Sequence, residues 1–162
     1  MRGYFEIGVY RPKTATNIGT LWRTAFQFGA AGIFTIAERW PESQSSDTTQ
    51  AWRHIPYRKF DELTPLLSAL PKQCALIGVE MGGRPIHRFA HPERAIYLLG
   101  AEDKGIPPEI LVRCTHVIEL PSVRTASFNV AVAGALVMYD RHRKSTPDLA
   151  GQRHQRASGE SQ

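Results

Sequence analysis

The chain has 162 residues, of which 42% are hydrophobic, and it carries a net charge of +5 at pH 7 with a pI near 9.5. This size favours one domain with a substantial core, and the charge favours a polyanionic partner such as nucleic acid without excluding a moderately basic soluble enzyme. The two cysteines and the lack of a long apolar segment argue against a disulfide scaffold, a structural zinc site, a signal peptide and a membrane span, so we expect a soluble cytoplasmic protein.

The first part of the chain predicts two strands around one helix. Residues 4–10 form the first strand and residues 32–37 the second, since both are short apolar runs that end at turn residues. Between them, Asn17 stands at the N-cap position of an amphipathic helix that ends at Gly29. Arg23 lies off the apolar stripe of this helix, where a lone arginine is ordinarily a solvated side chain.

Residues 38–55 lack periodicity and predict a long loop. In and just after this loop, cations and aromatic residues alternate: Arg39, Trp40, Trp52, Arg53, His54, Tyr57, Arg58 and Lys59. Such a mixture suits contacts with phosphates and stacking on bases, and it equally suits a loop that is packed down by its own aromatic side chains. Long loops in compact domains are often functional, which favours the first interpretation slightly.

The middle of the chain alternates helices and buried strands. The predicted helices cover residues 61–70 and 107–113, and the predicted strands cover residues 74–79, 95–99 and 117–120. Strands that alternate with helices predict an α/β fold, with a mostly parallel sheet sandwiched by helices.

The last predicted helix, over residues 130–139, is apolar on every face. Ser127 or Asn129 can cap it. Because a surface helix has a polar side, this helix must be buried on several sides, within the fold or against another subunit. We place the domain at residues 1–143 and expect residues 144–162, which are almost entirely polar, to be a disordered tail.

Three Gly- or Pro-containing loops follow the predicted strands that end at Val79, Leu99 and Leu120. Ligands of parallel sheets bind at loops that leave the carboxyl ends of the strands. We therefore expect these three loops to converge on a ligand.

Three ordered segments are similar to motifs of one family: NIGTLWRTAFQFG (17–29), LLGAEDKGIP (98–107) and the stretch 117–140 with its Pro…Ser-x-Asn-Val pattern. They resemble the SpoU/TrmH family of knotted RNA ribose 2′-O-methyltransferases, within the SPOUT superfamily. The match covers most of the domain, and the size is similar to that of the minimal, TrmL-type members. The resemblance implies that the last strand and helix thread through a loop and form a deep trefoil knot.

The resemblance also implies a cofactor, S-adenosylmethionine, bent into a pocket beside the knot. Its adenosine would contact Val79, Gly100, Leu120 and Phe128, partly through backbone groups, and Ser127 would also bind the cofactor. A glycine suits position 100, because a side chain would obstruct close approach of the backbone.

By the same resemblance, Arg23 lies at the ribose 2′-hydroxyl as a base or as a cation that stabilises the developing alkoxide. The high pKa of guanidinium makes us favour electrostatic help and phosphate anchoring. Asn17 would position Arg23 and the substrate, while Glu102, Ser127 and Asn129 would organise the site. Outside the family, Glu102 is simply a loop carboxylate, and Ser127 and Asn129 are simply helix caps.

The chain departs from the family pattern in places that affect the pocket. Leu21 and Trp22 are bulkier than the small residues common in the first motif, and Phe128 replaces the usual Leu or Met. The loop 121–127 lacks the glycine that many relatives carry. Arg124 in this loop can touch RNA or simply be solvated.

These observations predict a homodimeric, S-adenosylmethionine-dependent RNA 2′-O-methyltransferase that needs no metal and no membrane. Transfer RNA is the favoured substrate and ribosomal RNA the second. The rival interpretations are a non-catalytic RNA-binding or assembly factor on the same fold and an enzyme that methylates a base.

Overall fold

The computed structural model describes residues 3–39, 54–124 and 127–145. Its strands are β1 (Phe5–Tyr10), β2 (Gly32–Ile36), β3 (Tyr57–Phe60), β4 (Ala75–Pro85), β5 (Ala95–Leu99) and β6 (His116–Glu119). Its helices are α1 (Ala15–Phe28), α2 (Leu63–Ser68), α3 (Pro108–Leu111) and α4 (Val130–Ser145), with a short 3₁₀ turn at Ile86–Arg88. No helix in these ranges is long and apolar enough to cross a membrane.

The six strands form one sheet in the order β3-β2-β1-β5-β4-β6, and every neighbouring pair is parallel. This confirms the predicted α/β architecture. Because all strands run the same way, their carboxyl ends lie at one edge of the sheet, where ligands of such folds bind. The deep trefoil knot stays a prediction of the family resemblance.

Alternating side chains of each strand build a core on each face of the sheet. Ile7 and Tyr97 belong to the core that packs under α1 and α4, whereas Phe34 and Leu98 belong to the core under α2 and α3. All four side chains are fully buried. The period of two residues in strands thus gives both faces an apolar layer and accounts for the near-continuous apolar runs in the sequence.

Strand β3 is a part of the sheet that the sequence does not predict. Its four residues, YRKF, pair with β2 at the edge of the sheet. The Glu6 carboxylate, which is buried, forms an ion pair with Arg58. Residues 40–53 of the predicted loop lie outside the described residues.

Helix α1 begins at Ala15, with Thr14 at its N-cap position. The prediction that Asn17 caps this helix is therefore wrong, and Asn17 lies within the first turn, where its side chain can reach other elements. The predicted end of the helix is confirmed, because Gly29 has a left-handed φ of 75° and its N–H bonds back to the last turn.

Helix α4 packs closely on α1 through a glycine. A Cβ atom at Gly134 would lie 2.4 Å from Cδ1 of Leu21, so the bulky Leu21 occupies the space that Gly134 leaves open. Helix α4 also continues to Ser145, two residues past the predicted end of the domain; the rest of the predicted tail, residues 146–162, lies outside the described residues.

The other side of α4 is an exposed apolar stripe. Val132, Leu136 and Tyr139 follow helical spacing and are 48%, 39% and 56% exposed. The fold therefore buries one side of the helix, whereas the sequence predicts burial on several sides. Nothing in the described chain covers the second apolar side.

Polar contacts fasten the carboxyl-terminal half of α4 to the segment before β5. The buried Arg141 donates hydrogen bonds to the carbonyl oxygens of Pro92 (2.7 Å) and Glu93 (2.9 Å). Lys144 donates to the carbonyl oxygens of Ile86 (2.6 Å) and Phe89 (3.0 Å). These bonds satisfy backbone oxygens of a segment that has no strand partner.

His91 lies among these contacts between α4 and the segment before β5. Its Nε2 is 2.9 Å from Asp140 Oδ2, and its Nδ1 is 2.6 Å from the Tyr97 hydroxyl. Burial lowers the pKa of His91, and the charges of Lys144 and Arg141 act in the same direction, against the opposing effect of Asp140.

A lowered pKa makes the folded protein bind this proton less readily than the unfolded chain does. As the pH falls below about 6.5, the unfolded chain takes up the proton first, and stability is lost. We predict that the melting temperature falls between pH 7 and pH 5.5, and that this fall is smaller in His91→Gln. The exposed His87 provides the control: His87→Gln should keep the wild-type slope, and an unchanged slope in His91→Gln would contradict the assignment.

Candidate functional site

A cavity of about 360 Å³ lies at the carboxyl edge of the sheet. Its walls come from the middle of β4, from the ends of β5 and β6, from the loops that follow β5 and β6 and from the start of α4. Val79, Leu99 and Leu120 all line this cavity, which confirms the predicted convergence for the loops after Leu99 and Leu120. The predicted loop after Val79 is wrong, because β4 continues to Pro85 with an irregularity in its pairing between Val79 and Arg84.

The cavity contains every residue that the resemblance assigns to the cofactor: Val79, Gly100, Leu120, Ser127 and Phe128. Gly100 begins a loop that turns back sharply on itself. A Cβ atom at Gly100 would lie 2.4 Å from the carbonyl carbon of Gly105, which has a left-handed φ of +62°. Any side chain at position 100 would therefore force this loop open.

Three side chains that are far apart in sequence meet at the rim of the cavity. Glu102 Oε1 accepts hydrogen bonds from Asn17 Nδ2 at 2.6 Å and from Asn129 Nδ2 at 2.8 Å. Asn129 Nδ2 also lies 3.2 Å from Asn17 Oδ1. Because its partners are neutral amides, the Glu102 carboxylate is oriented without being neutralised, and it can still accept a hydrogen bond from a ligand.

Asn129 links this cluster to α4. Its Oδ1 accepts hydrogen bonds from the backbone N–H groups of Ala131 (3.0 Å) and Val132 (3.3 Å). Of the two predicted caps, Asn129 is the one that forms this contact. One amide thus caps the helix through its oxygen and holds Glu102 through its nitrogen.

Arg23 and Ser127 are placed differently from the other predicted residues. Ser127 lines the cavity, near the start of α4. Arg23 is exposed on α1, more than one turn beyond Asn17, and does not line the cavity. Within the described ranges, its guanidinium makes no hydrogen bond or ion pair, so the structure brings Asn17, Glu102 and Asn129 together but does not bring Arg23 to them.

Two carboxylates of the cavity wall are absent from the sequence prediction. Glu80 Oε2 accepts a hydrogen bond from the Ile106 N–H at 2.7 Å, and Glu119 Oε2 accepts one from the Gly82 N–H at 3.0 Å. Their position in the sequence could have indicated them, because each lies where the apolar part of a buried strand ends, near the edge where ligands bind.

Across residues 3–39, 54–124 and 127–145, no group of three or more His, Cys, Asp or Glu side chains could hold a metal ion.

The dual role of Asn129 gives a prediction. Asn129→Ala removes both the cap and the bond to Glu102, so we expect a loss of about 1 kcal/mol of stability and a loss of ligand binding in the cavity. Asn129→Ser is the matched control, since a serine can still cap the helix but cannot reach Glu102 as the amide does. Chemical denaturation and ligand titration check both variants; equal stability losses in the two would contradict the capping role.

Known proteins resemble this chain in sequence. The model of the SpoU rRNA Methylase family matches residues 4–139. A putative TrmH family tRNA/rRNA methyltransferase of Bacillus subtilis, YacO, is 28% identical over 137 residues, which are 81% of this chain and 55% of that protein. An uncharacterized tRNA/rRNA methyltransferase of Archaeoglobus fulgidus is 26% identical over 79% of this chain and 59% of its own. The chain therefore spans little more than half the length of these relatives.

Solved structures share the fold. A protein studied for the 2′-OH methylation of C/U34 on tRNA superposes with a TM-score of 0.81 at 24% identity, over 90% of this chain and 98% of that one. The SpoU methyltransferase AviRb of Streptomyces viridochromogenes, in complex with AdoMet, gives a TM-score of 0.79 at 18% identity, over 90% of this chain and 59% of that one. With the family match over most of its length, the chain belongs to the SpoU rRNA methylase family.

Proposed function

We propose that this protein is an S-adenosylmethionine-dependent methyltransferase that modifies a ribose 2′-hydroxyl in RNA, with transfer RNA as the favoured substrate. The observation that carries the proposal is that Glu102 belongs both to the wall of the cavity and to the cluster with Asn17 and Asn129. A ligand in the cavity and a second molecule at the rim would therefore meet at one carboxylate. The family match supports the reaction class.

The cavity suits the adenosine part of the cofactor. Val79, Leu99 and Leu120 give it apolar walls, and Gly100 lets the backbone approach closely. AviRb, which shares the fold, was crystallised with AdoMet. When bound, the cofactor would supply an electrophilic methyl group on a sulfonium, with the neutral thioether as the leaving group. The chain must bind and align the two substrates and provide an acceptor for the proton that the hydroxyl loses.

Glu102 is the residue best placed to receive the ribose hydroxyl. Its carboxylate is held from two sides by Asn17 and Asn129, so its position is fixed before substrate arrives. It can accept the hydrogen bond of the 2′-hydroxyl and orient the oxygen toward the cavity. We assign Asn17 and Asn129 the role of holding Glu102, and Ser127 the role of lining the cofactor side.

Arg23 would act through its charge. Its guanidinium is exposed and makes no polar contact within the described ranges, so it can meet an RNA phosphate. In the structure it does not lie at the Glu102 cluster, so stabilising the developing negative charge would require the bound RNA to bring the reacting oxygen within its reach. Guanidinium keeps its proton near neutral pH, which argues against a role as general base.

The substrate proposal rests on relatives and on charge. The structural neighbour with a TM-score of 0.81 was studied for the 2′-OH methylation of C/U34 on tRNA. A related protein of Acinetobacter baylyi, 26% identical over 79% of this chain, is a 23S rRNA (guanosine-2′-O-)-methyltransferase. The net charge of +5 suits either polyanion. We favour transfer RNA because this chain covers 98% of the tRNA-linked neighbour.

We also propose that the protein works as a homodimer through α4. Val132, Leu136 and Tyr139 form an exposed apolar stripe on a helix whose other side is buried, and a second copy would cover it. Sedimentation of the full chain tests this: a purely monomeric protein at micromolar concentration would refute it.

The function itself is tested by incubating the full chain with methyl-labelled S-adenosylmethionine and separate pools of transfer and ribosomal RNA. We expect label in transfer RNA, and nucleoside analysis should find a 2′-O-methylated ribose. Label in ribosomal RNA alone would overturn the substrate choice, and label on a base would overturn the ribose assignment. Confirmed cofactor binding with no transfer to either pool would favour a non-catalytic RNA-binding protein.

The role of Arg23 gives a separate prediction. Arg23→Ala should abolish measurable methyl transfer, which corresponds to a loss on the order of 100-fold or more if Arg23 stabilises developing charge. The affinity for the cofactor should stay within about twofold, because Arg23 lies outside the cavity. Arg113→Ala removes another exposed arginine, just beyond α3, and should leave activity unchanged. Full activity in Arg23→Ala would contradict the assigned role.

A further inference from the structure

One carboxylate joins three loops at the carboxyl edge of the sheet. Asp103 lies 2.9 Å from Lys13 Nζ, and its two oxygens accept hydrogen bonds from the two terminal nitrogens of Arg39, at 2.9 and 3.2 Å. Lys13 follows β1, Arg39 follows β2 and Asp103 follows β5. We call these three residues the Asp103 clamp.

The clamp is preorganised on its cationic side. Arg39 Nε donates to the carbonyl oxygen of Arg11 at 2.8 Å, and the Arg39 N–H lies 3.3 Å from the carbonyl oxygen of Pro12. The guanidinium is therefore oriented before it meets the Asp103 carboxylate, and a two-pronged arginine–carboxylate contact is directional. The hydrogen bonds from Arg39 and Lys13 hold the pKa of Asp103 well below its usual range.

The loop that Asp103 belongs to is anchored on its inner side as well. Glu80 accepts the N–H of Ile106, and the N–H of Gly105 bonds to the carbonyl oxygen of Ala101 at 2.8 Å. Between the inner anchor and the outer clamp lies Glu102, directly beside Asp103 in the chain. The two neighbours have different partners: Asp103 pairs with cations, and Glu102 is held by neutral amides.

A surface ion pair is ordinarily worth little to global stability, because water and salt screen it. The side chains of the clamp are partly exposed, at 45% for Lys13 and 25% for both Arg39 and Asp103. Its effect is expected instead on the local conformation of one short loop, where a small free energy decides which geometry is populated.

We propose that Asp103 and Arg39 are positioning residues: their contact holds the loop 101–105 in the geometry that presents Glu102 to Asn17 and Asn129 and keeps Gly100 against the cavity. This inference rests on the proposed function for its catalytic consequence. Its structural consequence, the immobility of the loop, does not depend on methyl transfer.

Hydrogen exchange of the full-length protein tests the structural consequence. Asp103→Asn and Arg39→Gln should each speed exchange at the amides of Gly105 and Ile106 by roughly tenfold, while the amides of β5 keep their wild-type rates. Glu109→Gln neutralises an exposed carboxylate in the first turn of α3 and is the matched control. It should leave exchange at Gly105, at Ile106 and in β5 at the wild-type rates. Unchanged exchange at Gly105 and Ile106 in both clamp variants overturns the proposal.

Kinetics and cofactor titration test the catalytic consequence. Each clamp variant should weaken S-adenosylmethionine binding several-fold and lower kcat on the order of tenfold, since small displacements of an aligned group are costly, with little change in KM for RNA. The double variant Asp103→Asn/Arg39→Gln should lose no more kcat and no more cofactor affinity than Asp103→Asn alone, because both residues act through one contact. A higher KM for RNA with unchanged kcat in Arg39→Gln would instead make Arg39 an RNA-binding residue and overturn the positioning role.

The two experiments distinguish a failure of the proposed function from a failure of the positioning role. If the proposed function is wrong, no variant transfers methyl groups, yet loop exchange still responds to the clamp. If the positioning role is wrong, wild-type protein transfers methyl groups and the clamp variants match it.

Discussion

The site depends on one carboxylate oxygen with two amide partners. Glu102 Oε1 accepts from Asn17 on α1 and from Asn129 at the start of α4, so a single atom joins the first helix, the loop after β5 and the last helix. None of these elements could shift alone without breaking a hydrogen bond at the rim of the cavity. Because the partners are uncharged, the contact fixes the position of Glu102 and leaves its charge available to a ligand.

Further contacts hold the loop after β5 in position around Glu102. Gly100 and Gly105 let the loop after β5 fold back on itself, Glu80 ties the end of that loop to β4, and Asp103 ties its middle to the loops after β1 and β2. Asn129 adds the helix cap of α4 to the same network. A parallel sheet brings all these groups to one edge, where side chains of neighbouring loops can meet.

Local patterns in the sequence predict most of the fold and part of the site. Strand β5 is predicted at its observed bounds because a buried strand is a short continuous apolar run. Strand β3 is not predicted, because its two cations break the apolar pattern at the edge of the sheet, where a polar face is tolerated. The contacts of Asn17 escaped local reasoning because they join residues far apart in the chain, and the family motifs alone indicated that Glu102 and Asn129 act with it. Glu80 had neither a motif nor a periodic signal.

A crystal structure of the full chain with S-adenosylmethionine would show whether Glu102 faces the reacting methyl group. We predict one cofactor per chain, with its adenosine between Val79, Gly100 and Leu120 and its methyl group facing the rim where Glu102 lies. Cofactor density elsewhere on the protein, or a methyl group directed away from Glu102, would refute this arrangement.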